Sequence, residues 1–315
     1  MCHKLSGWIL TAADAGKHLW RRWWWGGAVM LVWSLALPTA AQSMHQLPPG
    51  LPAGIDPAEG AARLAAFRQS RLQGDFCLRF QLVHIPRRGD ETTYDGMAWG
   101  TWDAQGPLTR FQLRPAAANE SEPPDPEKRD ANTWEWLVQN GPEPKIWVLA
   151  PGAKAARELP PESWHEPLFP GLVYTPFDLL MPFMFWPKFE YDGPERVGGR
   201  VADAYVMLPP DSPTTTPPAE PVRVALNREF NALVRAEQLD AARQPARELD
   251  VLSFENVEGQ WLPKAFDLLN VTGRDKDRFA VTAAALNLPP APARFDPGQL
   301  AGPATLPPGA SWQPL

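Results

Sequence analysis

Apolar and polar residues alternate along the segment that begins at residue 76. The apolar positions are Phe76, Leu78, Phe80 and Leu82, and the residues between them are Cys77, Arg79 and Gln81. Because successive side chains of a β-strand point to opposite faces, this period of two predicts a strand with one buried face and one solvated face. The sequence therefore predicts that a β-sheet begins here.

Short apolar runs of the same kind recur along the rest of the chain. They lie at residues 97–102, 108–113, 133–138 and 145–149, and then at 191–196, 201–208, 222–226, 233–239, 248–254, 261–269 and 278–284. Turn residues such as Gly198-Gly199 and Glu258-Gly259 separate them. Turns this short join antiparallel neighbours. The pattern predicts one large curved antiparallel sheet, or an open barrel, of about a dozen strands.

Two helix starts interrupt the strand pattern. Asp56, Pro57 and Glu59 form the first, with a capping residue, a proline at the first helical position and an acid two residues further on. It predicts an amphipathic helix that ends before Gly74. Thr175 and Asp178, three residues apart, predict a second helix start between the two series of strands.

The second helix start leads into residues 177–186, which are hydrophobic on all sides. All ten residues except Asp178 and Pro182 are large and apolar. A segment of this composition has to be covered by the sheet, a ligand or a partner. One interpretation is a fixed core helix, and the other is a mobile lid over an apolar cavity, hinged at Pro182 because proline removes a helical hydrogen bond. The lid interpretation makes the following residues candidates for ligand binding: Phe177, Leu180, Met181, Phe183, Met184, Phe185 and Trp186.

Tryptophans on the predicted strands provide further candidates for the cavity wall. They are Trp99, Trp136, Trp147 and Trp261. An indole ring can place one end in apolar space while its N–H finds a polar partner. Ordinary core packing is the alternative explanation for each of them.

Residues 1–41 have the order of a cleavable export signal. Arg21 and Arg22 close a basic stretch, an apolar core follows, and small residues precede Gln42. We expect export to the periplasm with cleavage near Ala41. An uncleaved anchor is the alternative, although spanning helices need about 20 apolar residues. Cleavage leaves Cys77 as the only thiol, which we interpret as packed and inert.

Composition sets the domain organisation. Proline accounts for 38 of 315 residues while 44% of the chain is hydrophobic, which favours short strands with proline-containing loops over a helical bundle. After a linker at 42–55, residues 56–287 are predicted to form one domain. The proline-rich residues 288–315 are predicted to be a disordered tail that the fold can lose.

Charge and motifs argue against several functions. The net charge is −6 although the first 41 residues are basic, so the remainder is strongly acidic and unsuited to nucleic acid. His84 and His165 are not part of a metal-binding motif, and the sequence contains neither a nucleophile elbow nor a dinucleotide fingerprint. We therefore expect no catalytic residues, no metal and no cofactor.

Several motifs follow one another in an order that resembles the outer-membrane lipoprotein-sorting proteins, the LolA-like group. They include Tyr174, Trp186, Gly198 and Trp261, and they lie at residues 174–180, 185–187, 191–193, 195–200, 222–227, 233–237 and 257–264. The resemblance covers residues 56–287. It implies a mainly β fold with a few helices: a strongly curved antiparallel sheet, or incomplete β-barrel, closed by a helical lid.

The resemblance also implies a function. Family members carry lipoproteins across the periplasm in an apolar interior that receives acyl chains, so the expected ligand is an acylated lipoprotein or a lipid. Inner-membrane donor and outer-membrane acceptor proteins are the implied partners. Related folds serve as envelope sensors, so a non-transporting sensor or scaffold module with the same fold is the alternative.

Overall fold

The computed structural model of the protein describes residues 51–116, 132–210 and 220–315. The predicted export signal, most of the predicted linker, and residues 117–131 and 211–219 lie outside these ranges.

Strands dominate the described residues, and two α-helices accompany them. The strands are β1 Asp75–Ile85, β2 Thr92–Trp102, β3 Pro107–Pro115, β4 Trp134–Gln139, β5 Lys145–Leu149, β6 Arg157–Glu158, β7 Lys188–Val197, β8 Arg200–Leu208, β9 Val222–Asn227, β10 Leu233–Leu239, β11 Pro245–Val257, β12 Gln260–Asn270, β13 Lys276–Leu288 and β14 Gln313–Pro314. The α-helices are α1 Pro57–Gln69 and α2 Pro176–Leu180. Short 3-10 helices lie at Pro161–Ser163, Pro182–Phe185, Pro292–Phe295 and Pro297–Gln299.

All strands join one antiparallel sheet. Its order is β6-β5-β4-β3-β2-β1-β13-β12-β11-β10-β9-β8-β7, and β14 pairs with β13 beside this path. Two meanders, β1 to β6 and β7 to β13, therefore meet where β1 pairs with β13. The sheet is strongly curved and does not close, because β6 and β7 remain at its two edges. The predicted fold class is confirmed, and each predicted strand coincides with an observed one.

Helix α1 begins as its sequence predicts. The Asp56 side chain accepts a hydrogen bond from the Glu59 backbone N–H at 2.8 Å, and Pro57 occupies the first turn. Leu64 is fully buried and joins the α-helix to the core inside the curved sheet. Among the described residues, no helix is long and apolar enough to cross a membrane.

The sheet has an apolar cluster on each of its two faces. Inward-facing side chains of both meanders form the interior cluster, which includes Phe80, Trp136, Val224, Leu268 and Phe279. The outer cluster covers the opposite face of the first meander and includes Trp99, Leu137 and Leu149. Neighbouring residues such as Trp136 and Leu137 belong to different clusters, since side chains alternate along a strand.

The C-terminal tail, residues 288–315, packs on the outer cluster. Phe295, Leu300 and Ala304 are buried there, and β14 adds a short strand to β13. The prediction of a disordered tail is therefore wrong. The prediction assumed that a proline-rich tail has too few apolar side chains to pack. The outer face of the sheet is itself apolar, however, and buries the few apolar side chains that the tail has.

Candidate functional site

Aromatic rings fill the interior of the curved sheet. Phe80 stacks on Phe279 with ring centroids 4.1 Å apart, and Phe266 lies 5.2 Å from Phe279. On the other side, Tyr94 stacks on Phe169 at 4.7 Å. These rings come from both meanders and from the connection before α2, so the interior is one continuous apolar core.

Residues 177–186, which we call the lid segment, cross this interior in two short helical pieces. Helix α2 ends at Leu180, and the 3-10 helix Pro182–Phe185 follows. Met181 joins them in the left-handed conformation, with φ at 47°. The observed break is at Met181, one residue before the predicted hinge at Pro182. Proline begins the second helical piece rather than interrupting the first. A left-handed methionine is strained and requires support from its surroundings.

Most apolar side chains of the lid segment are fully packed. The buried ones are Phe177, Leu180, Phe183, Met184 and Trp186. Met181 and Phe185 are half-buried against the same interior cluster. Phe177 and Phe183 lie 5.9 Å apart, and Phe183 meets Trp186 edge-on at 6.4 Å. The structure thus brings all seven predicted lid residues into the interior.

Arg247 of β11 contacts the beginning of the lid segment. Its guanidinium donates to Asp178 at 2.7 Å and to the backbone carbonyl of Val173, and it also donates to Gln238 at 3.3 Å. Asp178 in turn caps α2, because the Thr175 N–H and hydroxyl donate to it at 2.8 and 2.6 Å. The capping residues predicted from the sequence therefore also form the contact with the sheet.

Asp277 of β13 holds the backbone just before α2. This fully buried carboxylate accepts hydrogen bonds from the N–H groups of Val173 and Tyr174, each at 2.7 Å. His84 of β1 contacts it at 2.7 Å. Burial raises the pKa of Asp277, and the bonds from His84, Tyr174 and Val173 oppose that rise.

Two further side chains contact the remainder of the lid segment through its carbonyl groups. Arg68 of α1 donates to the carbonyls of Met184 and Trp186 at 2.6 and 2.7 Å. Asn140, which follows β4, donates to the carbonyl of Leu180. Side chains from four separate elements and one loop therefore form hydrogen bonds with the lid segment or with the residues just before it. They are Arg68, Asn140, Gln238, Arg247 and Asp277.

A small cavity lies between the lid segment and the second meander. Its volume is about 10 Å³, and its polar wall consists of Asp178, Gln238 and Arg247. Phe183 and Leu249 are among its apolar neighbours. A space of this size holds about one water molecule. Side chains therefore leave little free space between the lid segment and the second meander.

The predicted tryptophans divide between the two faces of the sheet. Trp136 belongs to the interior cluster and stacks on Trp134 at 5.9 Å. Trp99 is fully buried in the outer cluster, and Trp147 packs against that cluster. Trp261 is 66% exposed beside the turn between β11 and β12. The expectation that Trp99, Trp147 and Trp261 line the interior is wrong, because each lies at a position whose strand neighbours face inward.

The polar residues that hold the lid segment were not predicted from the sequence. Arg68, Arg247 and Asp277 are far from it along the chain, and no local motif marks them. His84, also without a predicted role, contacts Asp277, whereas His165 lies with its ring 4.6 Å from that of Phe177. Within the described ranges, no group of three or more His, Cys, Asp or Glu residues could hold a metal ion.

Solved structures share this architecture, although the sequence matches no family model and no curated protein. A DUF1329 family protein from Desulfovibrio piger superposes with a TM-score of 0.62 at 13% identity, covering 77% of this chain and 98% of that one.

Two further structures are similar over the same extent. A protein described as an outer-membrane lipoprotein-sorting protein domain, from Vibrio parahaemolyticus, gives a TM-score of 0.59 at 11% identity and covers 76% of this chain and 95% of its own. A LolA superfamily protein from Nitrosomonas europaea gives 0.53 at 13% identity, with 75% and 96% covered. The protein therefore has the LolA-like fold, a curved open sheet whose apolar interior is crossed by a short helical segment.

Proposed function

We propose that the protein is an exported carrier that holds acyl chains of a lipoprotein or lipid in the interior of the sheet, beneath the lid segment. The single observation that carries this proposal is the construction of the lid segment. It fills the interior with large apolar side chains, yet few polar contacts hold it, among them Arg68 of α1 to its backbone and Arg247 of β11 to the Asp178 side chain. The proposal assigns the protein a binding role in the periplasm and no catalytic one.

The polar contacts support a segment that moves as a unit. Hydrogen bonds to carbonyls and carboxylates can be exchanged for bonds to water when the segment leaves the interior, so each adds only about 0.5–1.5 kcal/mol net, or about 1.5–3 kcal/mol where a charge takes part. An acyl chain would replace the apolar contacts that Phe177, Phe183 and Met184 lose. Met181 and Met184 add adaptable surface for chains of different shape.

Uptake of an acylated fluorescent probe tests the proposal. Protein produced from the full-length gene should bind the probe, and lipid extraction of the same sample should yield acyl chains. Phe185→Asp places a carboxylate at the half-buried edge of the lid segment and should weaken binding about tenfold, which corresponds to 1.4 kcal/mol. Phe230→Asp is the matched control, because Phe230 is 60% exposed between β9 and β10 and should leave binding unchanged.

Circular dichroism of the same samples separates a binding defect from unfolding. A folded Phe185→Asp variant that binds poorly supports the carrier. If this variant unfolds, the lid segment is a fixed part of the core. If the wild-type protein binds no acyl probe, the carrier proposal fails.

The filled interior favours a second candidate function, a non-transporting envelope sensor or scaffold module. The cavity beside the lid segment has room for about one water molecule, which is what a module with a solid core requires. This candidate predicts that extraction yields no acyl chains and that the probe changes neither the melting temperature nor the fluorescence of the protein.

A further inference from the structure

Strand β12 separates from β13 halfway along its length. The two strands pair from Leu269 opposite Lys276 to Ala265 opposite Ala280. Beyond Ala265, β12 continues to Gln260 and pairs there with β11, while β13 continues to Leu288 and pairs there with β1. The wall of the sheet is therefore split between residues 260–264 and residues 281–288.

The last residues of the chain occupy part of this split. Gln313 and Pro314 pair with Ala284 and Ala283, and the Leu315 N–H donates to the Thr282 carbonyl at 3.0 Å. Residues 313–315 thus take the place beside β13 that β12 has left. We call them the cover.

The split is closed at both ends and forms a window. At one end the β12–β13 ladder resumes at Ala265 and Ala280. At the other end, side chains bridge the two strands: Gln260 donates to Asn287 at 3.1 Å, and Asn287 donates to Glu258 at 2.9 Å.

Behind the window lies the apolar interior. Leu262 on one side and Val281, Ala284 and Leu286 on the other are buried members of the interior cluster. Leu315 packs against the same cluster and is half-buried. The residues that border the window therefore belong to the interior where ligand binding is proposed, and Leu315 of the cover packs against the same cluster.

The cover is attached weakly compared with the strands around it. It is two paired residues long, and both Gln313 and Pro314 are exposed. Its apolar anchors are Leu315 and Trp312, the ring of which lies 4.2 Å from the Arg79 guanidinium on the outer face. A strand held by two paired residues opens at far lower cost than the long strands around it, so the cover can leave while the ladders of β12 and β13 remain.

We propose that this window is the side entrance through which an acyl chain reaches the interior, and that residues 313–315 are its removable cover. This inference rests on the proposed function, since it requires an acyl ligand. It names a point of entry that is separate from the lid segment and from its contacts with Arg68, Arg247 and Asp277. An extended acyl chain would take the place of the Leu315 side chain against the interior cluster.

A disulfide across the cover tests the route. Ala283 and Pro314 lie opposite each other on neighbouring strands, a geometry that suits a disulfide. The Ala283→Cys/Pro314→Cys variant is produced from the full-length gene in a background in which Cys2 and the buried Cys77 are replaced by alanine. Stopped-flow uptake of an acylated fluorescent probe is compared before and after reduction. The oxidised form should take up the probe about tenfold more slowly than the reduced form, because the open state is removed.

Deletion of residues 313–315 gives the opposite test and should accelerate uptake about threefold or more, because the window then needs no opening step. The two single-cysteine variants in the same background are the matched controls and should respond little to oxidation. Equal uptake by the oxidised and reduced forms overturns the side entrance even where the wild-type protein binds the probe. Absence of uptake by the wild type and by the deletion variant overturns the proposed function together with this inference.

Discussion

The outer face of the sheet differs between the two meanders. On the first meander most of its buried residues are apolar, as Trp99, Leu137 and Leu149 show, and the C-terminal tail covers them. On the second meander the outer residues are charged and form ion pairs across strands. Arg223 pairs with Asp192, Glu195 and Glu237, Arg235 with Glu248 and Asp250, and Arg278 with Asp267.

This difference shows that one sheet can be built in two ways around the same interior. Where the outer residues are apolar, the sheet needs a second layer, and the tail provides it. Where they are charged, water is the second layer and the strands are complete without a cover. Cross-strand ion pairs at a surface contribute about 0–1 kcal/mol each, whereas burial of one large apolar side chain contributes about 1.5–3 kcal/mol. We therefore expect the two outer faces to tolerate substitution very differently.

A buried ion pair fixes the tail to the first meander. Arg110 of β3 is 1% exposed and pairs with Glu135 of β4, which is fully buried. The same guanidinium donates to the carbonyls of Arg294, Leu300 and Gly302 in the tail, at 3.3, 2.9 and 2.9 Å. One side chain thus contacts a buried carboxylate and three tail carbonyls at once.

Removal of residues 289–315 should have the largest effect. The truncated chain loses Phe295 and Leu300 from the core and exposes Trp99, Leu137 and Leu149 to water. We expect the free energy of unfolding to fall by at least about 5 kcal/mol, which is comparable with the whole stability of many domains. Thermal denaturation followed by circular dichroism measures the change. A melting temperature within a few degrees of the wild type would mean that the tail is dispensable, as its composition suggested.

Arg110→Met should have the next largest effect. It removes the guanidinium that pairs with the buried Glu135, and breaking a buried ion pair in this way costs about 3–5 kcal/mol. The double variant Arg110→Met/Glu135→Leu should recover a large part of this loss, because both charges of the pair are then removed. Arg235→Met on the second meander is the matched control and should cost about 1 kcal/mol or less. Urea denaturation of the three variants checks the ranking, and equal losses for Arg110→Met and Arg235→Met would contradict the distinction between the two faces.

Much of the sheet could be predicted from the sequence because its strands follow a local pattern. Period-two alternation and turn residues are both local, and they located the antiparallel neighbours. The covered outer face left a local signal too: Trp136, Leu137 and Val138 are apolar in succession, which is typical of a strand buried on both faces. The prediction of a disordered tail did not take this signal into account.

The lid segment could be predicted from local sequence patterns, but its polar partners could not. The all-round hydrophobicity of residues 177–186 correctly predicted that the segment is covered, and the Thr175–Asp178 capping pair located its start. The polar partners of the segment and of the residues just before it lie more than sixty residues away for Arg247 and more than a hundred for Arg68 and Asp277. Only the folded topology brings such residues together, and a single sequence contains no periodic signal for them.

Glu248 on the charged outer face should show the smallest effect, one that depends on pH. Burial raises the pKa of this carboxyl to about 7, a hydrogen bond with Asp250 adds to the rise, and Arg235 at 3.3 Å opposes it. Because the folded pKa exceeds the ordinary value of 4.5, the stability linked to the protonated form is present below about pH 4.5 and is lost as the pH rises through about 7. Glu248→Gln keeps a neutral side chain, so at pH 8 it should be more stable than the wild type by about 1 kcal/mol or less after solvent screening.

Asp267→Asn is the control with the opposite sign. Burial would raise the pKa of Asp267, but the hydrogen bonds from Arg278 and Lys276 outweigh it and the pKa is lowered. A depressed carboxyl pKa stabilises the fold above its unfolded value and loses that contribution as the pH falls through the folded pKa. Asp267→Asn should therefore be less stable than the wild type at pH 8, with the difference closing in acid. Thermal denaturation of both variants at pH 4, 6 and 8 checks the signs, and a Glu248→Gln variant that is less stable than the wild type at pH 8 would show that ion pairing with Arg235 outweighs the burial of the carboxylate.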